Sequence, residues 1–481
     1  MTSLISRNPW TVSPTTLAVV SLAPVHAAVI GALLLMSVGR ETVALAALAL
    51  ALLATLVMTP RLSFCLFILS MCVWMPQRLS ATFAVHPFDV MLAVVFAGVA
   101  LEFLLKSDGQ IRSATFDLPF LALIAATLLS AVLAFRPAYS VVPLVRISVI
   151  YLAFRVVFKF ARDIGVRRIL TYYLAVVTLL SAYNLLVFVL QGGRLRVFGP
   201  GLLIYETLVM TALPMALAFL LWSSRLREQL IWGLAGFLMA GGIIATQARG
   251  PLLTVIIGAL TLCWFTFRKA RRENCRRALK TTLLLVVGMI VVATVIVSMS
   301  AGLLTDTWAR YEEFVASAEN PEGTVALRLV LWKTAWATFL DHPILGIGIG
   351  NFRIVHELYP ELHIVPLYRW VKGMSAHNVL LHYLAETGLV GTLALLALAS
   401  AGLRAGYRTF RARLNGPDTQ ISVALFVAMV IFSITLLYMR AWTWGEGGYI
   451  MALLFGLTAA WYQQTVRPPK GVISQTLSEN S

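Results

Sequence analysis

The chain is 481 residues long, 59% apolar and 12% charged, with a formal net charge of +17 and a mean hydropathy of +0.85. A water-soluble globule keeps roughly 25% of its residues charged, so lipid must be the solvent for most of this surface. The positive charge does not mark a nucleic-acid binder, because the Lys and Arg residues cluster in short gaps between apolar runs, as topogenic charges do. Phosphate remains a partner only as part of a lipid.

A helix needs about 20 apolar residues to cross the hydrocarbon core of a bilayer. The first such run, 16–38, follows Arg7 and is too long for a signal-peptide core, so it reads as an uncleaved first span. Further runs follow at 42–58, 62–78, 88–105, 117–135, 139–160 and 169–190, then at 201–223, 229–246, 250–267 and 279–299. After a polar interval they resume at 378–402, 420–438 and 445–463. The expected fold is all-α, a polytopic membrane helical bundle of about 12–14 transmembrane helices with one large periplasmic loop containing short helices. Its expected divisions are transmembrane helices 1–11 in residues 1–300, the loop in 301–376, the C-terminal transmembrane helices in 377–466 and a tail in 467–481. The four cysteines, Cys65, Cys72, Cys263 and Cys275, show neither a disulfide framework nor zinc spacing.

Alternate short gaps carry roughly three times the Lys and Arg of the others. That bias orients an inner-membrane protein with both termini cytoplasmic and with residues 301–376 on the periplasmic face. Within this loop Arg328, Trp332, Trp336 and Phe339 recur at helical spacing, which predicts a helix lying along the membrane surface.

The outer side is poor in arginine, yet the arginines it keeps adjoin apolar spans. Arg194 and Arg196 lie in Gly-Gly-Arg-Leu-Arg-Val-Phe-Gly, Arg249 in Thr-Gln-Ala-Arg-Gly-Pro, and Arg328 on the loop helix; His377 stands in Ser-Ala-His-Asn. A planar guanidinium suits a diphosphate, gripped through paired hydrogen bonds. A histidine can take a proton from a hydroxyl near neutral pH. Arg146 lies inside a span, where an ionisable group is a functional candidate, whereas Arg155 near the inner end is placed to snorkel. Glu386 is nine residues from His377, on the opposite side of a regular helix, while His382, four residues before Glu386, shares its face. Each has a plainer reading: head-group snorkelling for Arg249, a surface ion pair with Glu312, Glu313 or Glu322 for Arg328, an interfacial anchor for the tryptophans. Gly346-Ile-Gly-Ile-Gly lacks the strand and helix of a dinucleotide turn and reads as a tight reversal.

The runs Arg328-Leu-Val-Leu-Trp-Lys-Thr-Ala-Trp, Asp341-His-Pro-Ile-Leu-Gly-Ile-Gly-Ile-Gly-Asn-Phe and His377-Asn-Val-Leu-Leu-His-Tyr-Leu-Ala-Glu-Thr-Gly-Leu-Val-Gly resemble the signature region of the O-antigen ligase and polymerase superfamily. Ala248-Arg249-Gly250 and Arg196-Val-Phe-Gly are similar to two further motifs of that family. Where family members often carry Pro-Asn after the second motif, this chain reads Gly199-Pro-Gly-Leu-Leu-Ile-Tyr-Glu. The resemblance implies a bacterial membrane glycosyltransferase that takes a glycan from a polyprenyl (undecaprenyl) diphosphate carrier and joins it to an acceptor sugar at the periplasmic face. His377 and Arg249 would be catalytic; Arg196, Arg249, Arg328, Arg194 and Arg146 would hold the diphosphate; Asn378, Glu386 and His382 would support them. The acceptor is lipid A-core or protein for a ligase, and a lipid-linked repeat for an O-antigen or exopolysaccharide polymerase. The His-Asn…Glu-Thr-Gly run is the more ligase-like. No Walker motif and no Asp-x-Asp pair occurs, so no nucleotide, cofactor or metal is expected, and arginines take the metal's place. A transporter or flippase is the other class in play; it would gather its binding groups near the midplane on repeated or broken helices.

Overall fold

The computed structural model describes residues 41–71, 77–78, 84–105, 112–191, 202–223, 225–246, 248–273, 323–358, 373–413, 416, 418–438 and 447–466. The expected spans 16–38 and 279–299, Arg194, Arg196, Trp308, Trp370 and the tail lie outside them. The described residues are overwhelmingly helical, with one two-residue ladder pairing Gln77–Arg78 with Ala84–Val85.

The chain divides into two units. The first holds α1 (Glu41–Met58), α2 (Pro60–Ser70) and α3 (Pro87–Leu105). The second holds α4 (Asp117–Val132), α5 (Pro137–Phe160), α6 (Val166–Gln191), α7 (Leu202–Trp222), α8 (Leu226–Ala245) and α9 (Arg249–Glu273). It continues with α10 (Gly323–Asp341), α11 (Val379–Ala412), α12 (Thr419–Thr435) and α13 (Gly447–Thr465).

Six stretches among the described residues are long and apolar enough to cross a membrane, namely 87–105, 137–190, 204–222, 226–245, 250–267 and 379–412. The 54-residue stretch is α5 and α6 joined by the π turn Ala161–Gly165, which ends on Gly165 at φ 101°; at 1.5 Å per residue it has the length of two crossings. The chain is a polytopic helical membrane protein. One expectation is corrected. The runs 42–58 and 62–78 are not two full spans: the chain turns by 108° between Leu52–Met58 and Pro60–Ser70. Pro60 bars a helical conformation at Thr59, and the 11-residue α2 reaches only about 16 Å, half the thickness of the hydrocarbon core.

In the second unit α7, α12 and α13 are largely apolar and enclosed by their neighbours. On α4 and α6, Leu118, Leu179 and Leu190 remain more than two-thirds exposed, as lipid-facing residues do. The ends of this unit sort as the charge pattern requires. Arg167 reaches both Glu228 and Asp418, and Gln463 bonds the carbonyl of Ser113, so predicted inner gaps gather at one end. At the other end Arg136 N–H bonds Asn351, and Val379 N–H bonds Leu436, joining predicted outer gaps.

The feature that organises the end bearing Asn351 and Leu436 is a break in α11. Gly388 takes φ 59°, ψ −157°, so the helix cannot hydrogen-bond itself there. The Pro343–Gly348 segment supplies the missing partners: Leu389 and Val390 N–H donate to the carbonyls of Pro343 and Ile344, while Ile347 and Gly348 N–H donate to those of Ala385 and Glu386, at 2.8–3.2 Å. A Cβ at Gly388 would stand 2.3 Å from the Ile344 oxygen, and one at Gly346 2.3 Å from the Glu386 carbonyl carbon. Glycine is required by contact as well as by conformation.

Gly388→Ala is therefore expected to lower the unfolding temperature far more than Gly373→Ala. Gly373 also has a positive φ but nothing within 4 Å of a Cβ, leaving only a backbone penalty of about 1–2 kcal/mol. Thermal unfolding of both variants in detergent checks this; equal shifts would refute the close approach.

Candidate functional site

The loop packs back onto the bundle through an apolar seam. Leu331 and Ala335 of α10, Ile347, Phe352 and Val355 of the returning segment, and Ala376 and Ala385 beside and within α11 form one buried cluster. Four-residue spacing puts Leu327, Leu331 and Ala335 on the inner face of α10. Arg328 is exposed on the adjacent face, with Trp332 one turn further on. The Trp332 indole N–H donates to the Ala376 carbonyl at 2.9 Å, which ties this face of α10 to the residue before His377.

His377 is half-buried and has a left-handed backbone, φ 52°. A non-glycine residue rarely adopts that conformation, and its strain persists only where the surroundings impose it. Here they do. Ala376 is fixed by Trp332 on one side, Asn378 caps α11 by accepting from Leu381 N–H at 3.1 Å, and Val379 N–H donates to Leu436 at 2.9 Å. The turn containing Leu436 also carries Tyr438, whose hydroxyl contacts Thr254 of α9 and whose ring lies against Gly250, 2.7 Å from where a Cβ would stand. Arg249 immediately precedes Gly250 and opens α9; its side chain lies outside the described residues. The backbone thus brings the start of α9, the turn after α12 and the His377 turn together, with α10 alongside.

His382 and Glu386 pair on one face of α11, as their spacing predicts: His382 Nε2 lies 3.3 Å from Glu386 Oε2, and both side chains are buried. Glu386 Oε1 accepts from Phe352 N–H at 2.9 Å, and the Ala376 N–H points at His382 Nδ1 at 3.5 Å. An accepting Nδ1 places the ring proton on Nε2, facing the carboxylate. The Phe352 ring meets the His382 ring edge-on at 5.3 Å. These two residues clamp the returning loop to the helix that carries His377. Ser140 and Asn351 do the same for α5: Ser140 Oγ donates to the Ile349 carbonyl and Asn351 Nδ2 to Ser140 Oγ.

Arg146 is half-buried in α5, about 13 Å from the start of that helix. Its neighbour Ile147 packs with Ile349 of the loop, but no described contact joins Arg146 to His377. Two residues escaped the sequence reading. Glu206 is buried on α7, and its carboxylate acts electrostatically on the Tyr438 phenol. The signal was available, since Glu206 is the only charged residue of the 201–223 run and ionisable groups in spans are functional candidates. Tyr438 carried no signal, because only long-range packing brings it to Gly250.

Leaving a buried donor such as the Phe352 N–H without its acceptor typically costs about 1–3 kcal/mol. Glu386→Ala should approach that figure, whereas Glu386→Gln, which keeps an acceptor for Phe352 N–H, should lose less than half as much. Equal unfolding temperatures for the two would show that the carboxylate does not clamp the loop.

Among curated proteins no match is found. Residues 234–396 match the family model described as O-antigen ligase. That stretch, about a third of the chain, holds Arg249, Arg328, His377, His382 and Glu386, and leaves Arg146, Arg194, Arg196, Glu206 and Tyr438 outside. Residues 234–396 are thus similar to the O-antigen ligase family, within a chain that is a multi-pass helical membrane protein.

Proposed function

We propose that the protein transfers a glycan from a polyprenyl (undecaprenyl) diphosphate carrier to an acceptor sugar at the periplasmic face of the bacterial inner membrane, without a metal ion. The observation that carries this reading is the fixing of His377 between Arg328-bearing α10 and Arg249 at the head of α9, through Trp332 to Ala376 and Leu436 to Val379. In the proposed step the acceptor hydroxyl oxygen attacks C1 of the donor sugar as its proton passes to the His377 imidazole. The C1–oxygen bond to the diphosphate breaks, and its electron pair leaves with the diphosphate. Charge gathering on that leaving group is what fixed guanidinium groups stabilise, since they need no reorganisation as it forms. Arg249 and Arg328 serve here, joined by Arg196, Arg194 and Arg146 where the donor reaches them. Asn378, His382 and Glu386 hold the frame. The ligase reading, with lipid A-core or protein as acceptor, follows the family description of the matched segment.

The test is purified protein with a polyprenyl-diphosphate glycan and an acceptor, in detergent with neither gradient nor nucleotide. Transfer under these conditions excludes a transporter. His377→Ala and Arg249→Ala should each lower the rate about a hundredfold, the usual scale for one general base or one electrostatic group. Near-normal turnover in a properly inserted variant removes that residue from the step. In cells lacking the gene, bare core with no long chains identifies a ligase, and core capped by a single repeat a polymerase.

Sidedness has its own test. Lys333 is exposed on α10, so Lys333→Cys should react with a membrane-impermeant maleimide applied from the periplasm. Labelling only after the inner membrane is opened would put the loop inside and end the proposal.

A further inference from the structure

At the end of α11 remote from His377 lies a cavity of about 540 Å³. Three elements wall it: the Ser113–Phe116 approach to α4, the last turns of α11, and the end of α13. On α11 the lining residues Ala401, Arg404, Ala405 and Arg408 form one stripe. Arg404 and Arg408 stand one turn apart on it, two like charges that repel unless an anion lies between them.

The acids nearby do not supply that anion. None among the described residues lines the cavity. Asp117, which follows Phe116, already accepts from Arg155, the Tyr151 hydroxyl and Ala114 N–H. Arg408 donates to the Tyr462 hydroxyl at 3.2 Å, a neutral partner, and Arg404 has no carboxylate partner among the described residues. Ala114, Phe116, Ala401 and Ala405 give the wall an apolar part, beside the polar Ser113, Thr115 and Gln463. Arg404 lies where the apolar run of α11 ends and Arg408, Arg411 and Arg413 follow, and so at head-group depth.

We infer that Arg404 and Arg408 bind a phosphate group in this cavity, and that at this depth it is the head-group phosphate of an anionic phospholipid. Paired guanidinium groups fit phosphate oxygens, basic pockets between membrane helices hold such head groups, and the apolar part of the wall suits the glycerol and first methylenes of the chains. The site is remote from His377 and does not depend on the transfer reaction.

The experiment is intact-complex mass spectrometry of the full chain in mild detergent, with dioleoylphosphatidylglycerol, dioleoylphosphatidylcholine or inorganic phosphate added separately. The wild type should retain one phosphatidylglycerol under activation that strips phosphatidylcholine. The double variant Arg404→Gln, Arg408→Gln should bind it at least tenfold more weakly. Ala401→Trp, which fills the cavity with both arginines in place, should do the same and carries the test if the double variant does not fold. Inorganic phosphate raising the unfolding temperature of the wild type alone, with no lipid retained, would keep the site and replace the lipid by a free anion. Equal retention of phosphatidylglycerol by wild type and variants, or no response to lipid or phosphate, overturns the assignment.

Discussion

A helix inside a membrane has no water to satisfy a broken backbone hydrogen bond, so any interruption must find protein partners. The interruption of α11 at Gly388 finds them in a single stretch of loop. Carbonyls of Ala385 and Glu386 and amides of Leu389 and Val390 are each taken by residues 343–348, and Ser130 Oγ adds a further bond to Glu386 O. The exchange works in both directions. The helix needs the loop to complete its ladder, and the loop, rich in positive-φ glycines, needs the helix to give it one path. The rest of the His377 end is built on that mutual dependence.

From it follows the position of His377. Once residues 343–352 lie along α11, the Phe352 amide meets Glu386 and the Phe352 ring meets His382. The seam from Leu331 to Ala385 then closes over them. α10 is thereby docked with Trp332 against Ala376, and the strained turn at His377 is held from both sides. A buried carboxylate and imidazole are a poor way to gain stability, because desolvation consumes most of the attraction. Their use here is geometric: Glu386 bonds one particular backbone amide, and a loop shifted by one residue would leave that carboxylate buried without it.

How much of this was legible in the sequence depends on the range of the interaction. Hydropathy alone located nearly every helix, because a span must be apolar over its whole length. Spacing of four located the loop helix at Arg328 and Trp332 and the His382–Glu386 pair, because those are neighbours on one helix. The glycines of 346–350 announced a reversal, though not what they turn against. The bend at Pro60 was missed because hydropathy integrates over a window and is blind to a single residue that stops a helix. The far end of α11 was also misjudged: it continues to Ala412 rather than 402, carrying Arg404, Arg408 and Arg411 out of the apolar layer on a helix, where hydropathy reports only the loss of apolarity. Tyr438 belongs to the class that no local pattern reveals, since α9 and the turn after α12 meet only in the folded chain.

The two ends of α11 carry opposite electrostatic arrangements, and this constrains how a charged lipid could use the molecule. At the His377 end the candidate arginines come from separate elements, Arg249 at the head of α9 and Arg328 on α10, and the buried acids Glu206 and Glu386 lie on α7 and α11. In the proposed transfer, arginines carried on separate fixed elements would favour a charge developing during reaction over one already present. At the Arg404 end the cations are exposed, adjacent on one helix and without a lining carboxylate, which favours an anion that is permanently charged and simply resides. On the two proposals, one helix would carry a site for transient charge near one end and a site for a standing charge near the other. The break at Gly388 lies close to the first and leaves the second on an uninterrupted run of helix, so adjustments in the loop can occur without disturbing the anchored end.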